Sequence, residues 1–321
     1  MSISHNAVMF FCFYYTCDGF FRQPALWAFG KACAHLNPQK IAVLTDSCAD
    51  ISPALARERD IFVLPLKIIY PDKEYSDGVD ITPQEIYQRM PQALPTTSLP
   101  DGGTLLSLLD EIKSQGFEKV IAICLSAGLS GTYNMVRLMA ENYEGLQCAV
   151  FDSNSGSLGE GCLALEVTNR LAQGASWEEL LLLVPRLREN TQVIFSLDTL
   201  EYLQKGGRIG KISCIAGTML QIKPIISFAP DGQLASISKV RGRYRSMDEM
   251  AERIRAMVPT DGTPYTLATA HGGCPGDLEY LKNKLHDEIG CATHYYEGEI
   301  DCTLGVHTGP HLIGCGIQIL E

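Results

Sequence analysis

Leu125-Ser126-Ala127-Gly128-Leu129-Ser130-Gly131-Thr132-Tyr133 joins an unbroken apolar run, Val120–Leu125, to a segment with Tyr133, Val136 and Ala140 at helical spacing. A short apolar run followed by small residues and a helical period reads as a buried strand handing over to a helix. The junction itself carries chemistry. The first N–H groups of a helix have no internal partner, and the helix dipole places partial positive charge there. Such a point suits an anion, whether phosphate or carboxylate. Ser130 can serve that anion or simply cap its own helix, since serine is a favoured cap.

A second hydroxyl cluster lies in Leu94-Pro95-Thr96-Thr97-Ser98-Leu99-Pro100. Each proline fixes its own φ and biases the preceding residue to extended geometry, so the segment reads as a stiff, non-helical loop. It has no apolar period and lies outside the core. Such hydroxyls can bond only their own backbone. Two clusters in one chain, however, suggest a polar pocket.

Around them runs a regular alternation of strand and helix signals, which implies parallel strands covered by helices. Strands are expected at Ile41–Leu44, Phe62–Ile68, Val120–Leu125 and Ala149–Phe151. Capping boxes are expected at Thr82 with Glu85 (Pro83 opening the helix), at Ser176 with Glu179 and at Ser246 with Glu249. Leu105, Leu108, Leu109 and Ile112 mark a helix facing the core. The character shifts near Gln192. Pro224–Phe228 and Leu234–Ser238 flank Pro230-Asp231-Gly232, a hairpin signal. Tyr265–Ala270, Thr293–Tyr296 and Leu312–Ile319 add strands, with a helix over Asp277–Glu288 between the first two. This second half reads as an α/β unit with antiparallel pairing.

At 321 residues the chain has room for two cores. Its net charge of −11 argues against a nucleic-acid surface, which needs a basic stripe. No run of 18 apolar residues suggests a membrane span. Twelve cysteines are scattered without a C-x-x-C pair or zinc spacing, so they read as reduced thiols, with Cys124, Cys148 and Cys315 as small buried hydrophobes. Residues 1–38, with the aromatic run Val8–Tyr15, lack the basic start and long apolar stretch of a secretory signal. They read as an atypical extension, expected to be poorly ordered or to reflect an upstream start codon.

No reactive set is complete. Gly128-Leu129-Ser130-Gly131-Thr132 departs from the G-x-S-x-G nucleophile elbow, and no G-x-x-x-x-G-K-[ST] phosphate loop exists. Gly272-Gly273-Cys274-Pro275-Gly276 reads as a loop, and His271 before it as a histidine satisfied by backbone. No Asp, Glu and His cluster has metal spacing. A binding protein is favoured over an enzyme.

From Lys40 onward the chain resembles the DegV family of bacterial fatty-acid-binding proteins. The resemblance rests on Ala42-Val43-Leu44-Thr45-Asp46-Ser47, Ser76-Asp77-Gly78-Val79-Asp80-Ile81-Thr82-Pro83, Pro95-Thr96-Thr97-Ser98 and Gly128-Leu129-Ser130-Gly131-Thr132-Tyr133. It continues through Asp198-Thr199-Leu200-Glu201-Tyr202-Leu203-Gln204-Lys205-Gly206-Gly207-Arg208-Ile209, Lys223-Pro224-Ile225, Lys239-Val240-Arg241-Gly242-Arg243 and Gly305-Val306-His307-Thr308-Gly309-Pro310. It implies a two-domain α/β fold: a parallel three-layer domain over 39–190 carrying a hydroxyl-lined carboxylate site, and a two-layer α/β domain with a mixed or antiparallel sheet over 191–321. One long-chain fatty acid is expected between them, with no other cofactor.

Carried over residue by residue, Thr97 and Ser130 should bind the carboxylate, with His307 in the same network or held in a Gly/Pro-rich turn. His311 stands where the family usually has glycine, which is expected to alter local packing. Arg208, Arg241 and Arg243 should face a partner. In the family that partner is a separate ATP-binding kinase subunit of the fatty acid kinase system, whose acyl phosphate feeds phospholipid synthesis. The expected location is the cytoplasm, and no catalysis by the chain itself is expected. Two other readings stay open. One is a stand-alone transferase or kinase-like domain, because the fold is related to the substrate half of dihydroxyacetone kinases. The other is a lipid-free regulatory module.

Overall fold

A computed structural model describes residues 35–215 and 222–320. The aromatic run near Phe10 lies outside the described residues. The first half runs β1 (Ile41–Asp46), α1 (Pro53–Glu58), β2 (Ile61–Leu64), β3 (Lys67–Ile69), β4 (Glu74–Ser76), α2 (Pro83–Arg89) and β5 (Thr96–Ser98). It continues through α3 (Gly102–Ser114), β6 (Lys119–Cys124), α4 (Thr132–Glu141), β7 (Gln147–Asp152), α5 (Leu158–Ala172) and α6 (Trp177–Glu189). The second half runs β8 (Thr191–Ser196), α7 (Glu201–Lys205), β9 (Ile222–Phe228), β10 (Leu234–Arg241), α8 (Arg243–Met257) and β11 (Tyr265–His271). Then come α9 (Pro275–Lys284), α10 (His286–Cys291), β12 (His294–Glu299), α11 (Cys302–Thr308) and β13 (Ile313–Ile319).

Strands β2-β1-β6-β7 form an all-parallel sheet. Successive side chains of a strand face opposite ways. Ala42, Leu44, Val120 and Ala122 therefore pack on α3 and α4 through Leu105, Leu109, Ile112 and Val136. Ile41, Val43, Ile121 and Ile123 pack on α5 and α6 through Leu163, Val167, Leu180 and Leu187. Burial on both faces is why these strands read as continuous apolar runs. The capping boxes of α2 and α6 form as expected: Glu85 and Glu179 accept from the Thr82 and Ser176 N–H groups, at 2.9 and 2.7 Å.

Three local expectations need correction. Phe62–Ile68 is not one strand. Pro65 offers no N–H to a ladder, so β2 ends at Leu64 and β3 turns into a separate antiparallel sheet, β4-β3-β5. Thr96–Ser98 is the edge strand β5 of that sheet rather than an irregular loop, with Thr97 opposite Ile68. The box at Ser246 and Glu249 does not form. Gly242, at φ +98°, turns the chain so that α8 already begins at Arg243. The Ser246 hydroxyl donates instead to the Arg243 carbonyl at 2.6 Å.

The second sheet has the order β10-β9-β8-β13-β11-β12. Its neighbours are antiparallel except β11 and β12. The predicted hairpin joins β9 to β10 with Gly232 at φ +74°. One face is covered by α8, α9 and α10 through Met247, Met250, Ile254, Leu281 and Leu285. The helix expected over 277–288 is α9 and α10, parted at Leu285.

Helix α5 lies between the two large sheets. Of its 15 residues, 12 are buried. Leu163 and Val167 pack on the parallel sheet, whereas Leu158 and Cys162 pack on the second. A side chain at Gly161 would sit 2.4 Å from the Ala49 carbonyl oxygen, so the glycine sets how closely α5 approaches the turn after β1. A helix apolar on several sides shows no single stripe, and the sequence pattern did not reveal it.

Candidate functional site

The space left between the sheets at the start of α5 is a cavity of about 280 Å³. That is far more than the about 15 Å³ one bridging water needs. Its floor is set by strand register. Phe195 of β8, Gly314 of β13 and Ala270 of β11 stand side by side across the second sheet, and all three line the cavity. Phe228 leans on Phe195 with ring centroids 6.4 Å apart. Leu125, Leu129, Leu158, Leu203 and Leu312 complete an apolar wall.

Polar side chains interrupt that wall, Ser98, Ser157, Thr303 and Thr308 among them. Thr97, Ser130, His307 and Arg208, four of the six site residues expected from sequence, all line it. Thr97 Oγ1 and His307 Nε2 are 2.8 Å apart. The side chain of Leu99 packs beside Gly131, which brings the β5 loop against the start of α4. Ser130 Oγ accepts the Thr132 N–H at 3.3 Å and lies 2.9 Å from Thr132 Oγ1. Ser130 therefore both assists the helix start and faces the cavity. His307 is not in a turn: it lies in the last turn of α11, which the Gly/Pro-rich composition concealed.

Buried carboxylates hold this arrangement, and sequence reasoning gave them no role. Asp46 ends β1 and accepts the Leu125 N–H at 2.8 Å, fixing where the Ser130 loop leaves β6. Asp77 accepts the Cys302 and Thr303 N–H groups, at 3.0 and 2.9 Å, and the Thr303 hydroxyl at 2.6 Å. It thereby seats α11 and its histidine. The signal was present in Thr45-Asp46-Ser47 and Ser76-Asp77-Gly78, each an acid beside a strand end. Burial raises Asp46 to about 6, against its hydrogen bonds.

Arg208 spans the two halves. Its Nη1 donates to the Gly206 carbonyl at 2.8 Å and its Nε to the Leu129 carbonyl at 3.3 Å. Burial first, and the Arg208 charge second, push His307 down from its ordinary 6.5 to about 4. The imidazole is therefore neutral at pH 7. In the unfolded chain it takes a proton near 6.5, which the fold refuses until about 4. The unfolded state thus binds more protons in that window, and this contribution to stability is lost as the pH falls through it. Removing the group isolates the effect. The stability difference between the parent and His307→Gln should shift by roughly 3 kcal/mol against the parent from pH 7 to pH 4, measured by urea unfolding. A pH-independent difference would show that His307 titrates normally.

The other two expected arginines lie outside the cavity. Arg241 is exposed at the end of β10. Arg243 is held by Asp277, with Nη2 2.7 Å from its carboxylate. His311 adopts φ +68°, the left-handed conformation that favours glycine, and its N–H donates to the Gly272 carbonyl at 2.7 Å. His271 Nδ1 accepts the Cys274 N–H at 3.2 Å, the backbone role expected of it. Cys124 and Cys315 are buried and unpaired, whereas Cys148 is only half-buried. Among the described residues, no group of three or more His, Cys, Asp or Glu could hold a metal ion. No described helix is long and apolar enough to cross a membrane.

The family model described as "Uncharacterised protein, DegV family" matches residues 40–319. The chain belongs to the DegV family. A DegV domain-containing protein of Clostridium acetobutylicum is 38% identical over 276 residues, covering 86% of this chain and 98% of the relative. Among solved structures, a DegV family protein from Thermus thermophilus, described by its fatty acid binding, superposes with a TM-score of 0.81 at 28% identity. The match covers 87% of this chain and 99% of that one. DegV from Bacillus subtilis, described as a fatty acid binding protein, gives 0.79 at 25% identity over 89% of this chain and all of its own. The DegV motifs met in the sequence now have places: the strand-end acids brace the site, and the two hydroxyl segments form part of its wall.

Proposed function

We propose that this DegV protein binds one long-chain fatty acid in the cavity between its sheets, with the carboxylate at Thr97, Ser130 and His307. It presents that carboxylate to a separate ATP-binding kinase subunit, in the cytoplasm, for conversion to an acyl phosphate that feeds phospholipid synthesis. It has no catalysis of its own. The observation that carries this reading is the composition of the wall: apolar over most of its surface, with the Thr97 hydroxyl and the neutral His307 2.8 Å apart and the Ser130 hydroxyl and Arg208 lining the same cavity. A long acyl chain matches the apolar part. Neutral donors and a helix start suit one negative charge and leave the carboxylate nucleophilic enough to attack a phosphate. The solved relatives described as fatty-acid-binding support the same ligand class.

Native mass spectrometry of gently purified protein should find a fatty acid bound, and delipidated protein should take up palmitate or oleate. Protein that arrives empty and binds neither would sink the reading. Mixed with a cognate kinase subunit and ATP, the loaded protein should support acyl phosphate formation, whereas alone it should form none. Arg241→Ala should keep the lipid and lower turnover if that exposed arginine meets the kinase. Arg243 and Arg208 are poorer probes of the partner, because each also holds internal contacts. Acyl phosphate made by the purified chain alone would favour a stand-alone kinase instead.

A further inference from the structure

Gly206 follows α7 with φ −79° and ψ −6°, a conformation any residue accepts. Its lack of a side chain answers to something else. A Cβ at Gly206 would lie 2.1 Å from His307 Nδ1 and 2.8 Å from its Cε1. The glycine backbone is thus the surface against which the imidazole rests. His307 Nδ1 is buried there and has no hydrogen-bond partner among the described residues, while Nε2 faces Thr97 Oγ1.

A neutral imidazole carries one N–H and one bare nitrogen. A buried N–H left without a partner is rare in proteins, and the Gly206 face offers Nδ1 no acceptor among the described residues. The bare nitrogen therefore belongs on the Gly206 side. We propose that Gly206 is the positioning residue of the carboxylate site: by closing off Nδ1 it holds His307 as the Nε2–H tautomer, which donates to Thr97 Oγ1. The Thr97 hydroxyl has one proton, and with its oxygen already accepting from His307, that proton is free to point at the ligand carboxylate. A hydroxyl turned the other way would present lone pairs to a negative charge. The same glycine receives Arg208 on its carbonyl, so one short segment backs the histidine and anchors the arginine. This deepens the fatty-acid reading and rests on it.

The first test needs no variant. Nitrogen-15 NMR of the folded, histidine-labelled protein at neutral pH should show His307 protonated at Nε2 and bare at Nδ1. A protonated Nδ1 overturns the proposal whether or not any lipid binds. The second test is a double-mutant cycle read as palmitate affinity, with circular dichroism confirming a folded chain. Gly206→Ala should weaken binding at least about tenfold in the parent. In a His307→Ala background the same change should cost little further, because only the Tyr202 carbonyl oxygen, 3.1 Å from the added Cβ, remains close. An equal loss in both backgrounds would mean that Gly206 acts elsewhere. A parent that binds no fatty acid fails the functional reading, and the tautomer result still decides the positioning claim on its own.

Discussion

Thr97→Val and Ser130→Ala should each weaken palmitate binding ~10–100-fold, the equivalent of about 1.5–3 kcal/mol for a donor lost from a desolvated charge. The two losses have different origins. Ser130 offers one hydroxyl beside the start of α4, and its removal also takes from the Thr132 N–H the oxygen it donates to. Thr97→Val also strands His307 Nε2, so its cost should show partly in the empty protein. Thr97→Ser keeps the hydroxyl and should restore most of the affinity. Calorimetric titration of delipidated protein measures all three. A Thr97→Val or Ser130→Ala protein that binds palmitate as tightly as the parent removes that residue from the carboxylate site.

Gly128→Ala should be a severely damaging single methyl, lowering unfolding stability by about 3 kcal/mol and abolishing lipid binding. The tip of the β9–β10 hairpin presses on this position. A Cβ there would sit 2.5 Å from the Gly232 carbonyl carbon and 2.6 Å from the Asp231 carbonyl oxygen. These are backbone atoms, which cannot swing aside as a side chain can. The hairpin is tied to the same segment as well, because Ser126 Oγ donates to the Gly232 carbonyl at 2.9 Å. Relief therefore requires the two sheets to separate or the Ser130 loop to shift. Gly276→Ala, at a position with nothing within 4 Å, is the matched control. Urea unfolding of the two variants should separate them clearly; equal stabilities would show that the hairpin yields at no cost.

The two hydroxyl segments were legible because their residues suit neither core nor helix interior. The cavity between them was not, because it is made by register: nothing in the sequence aligns Phe195, Gly314 and Ala270 across three strands distant in the chain. Strand β8 escaped notice as well, since Thr191 and Gln192 open it with polar residues. The prolines around Thr96–Ser98 correctly excluded helix but concealed an edge strand, whose pairing depends on β3 arriving beside it. His307 was recognised by motif, and only its alternative reading as a turn residue failed, because Gly305 and Gly309 read as a turn where α11 runs. Asp301 starts α11 by accepting the Leu304 N–H at 3.0 Å. Gly309, at φ +71°, closes the helix, and a side chain there would strike the Tyr202 ring at 2.2 Å.

The cavity takes its walls from both sheets and from the helix between them, so a fatty acid bound there, as proposed, would be a structural member. With the acyl chain seated, the facing apolar walls touch a common body; without it they lose those contacts. Ligand at a thousand times its dissociation constant adds about 4.1 kcal/mol to the folded state, a large share of what holds a domain together. Under the proposed function the loaded and empty forms would then be two proteins of unequal durability. A protease that cuts only opened chains would remove the emptied form first, so the amount of carrier in a cell would follow the supply of fatty acid without any dedicated regulator.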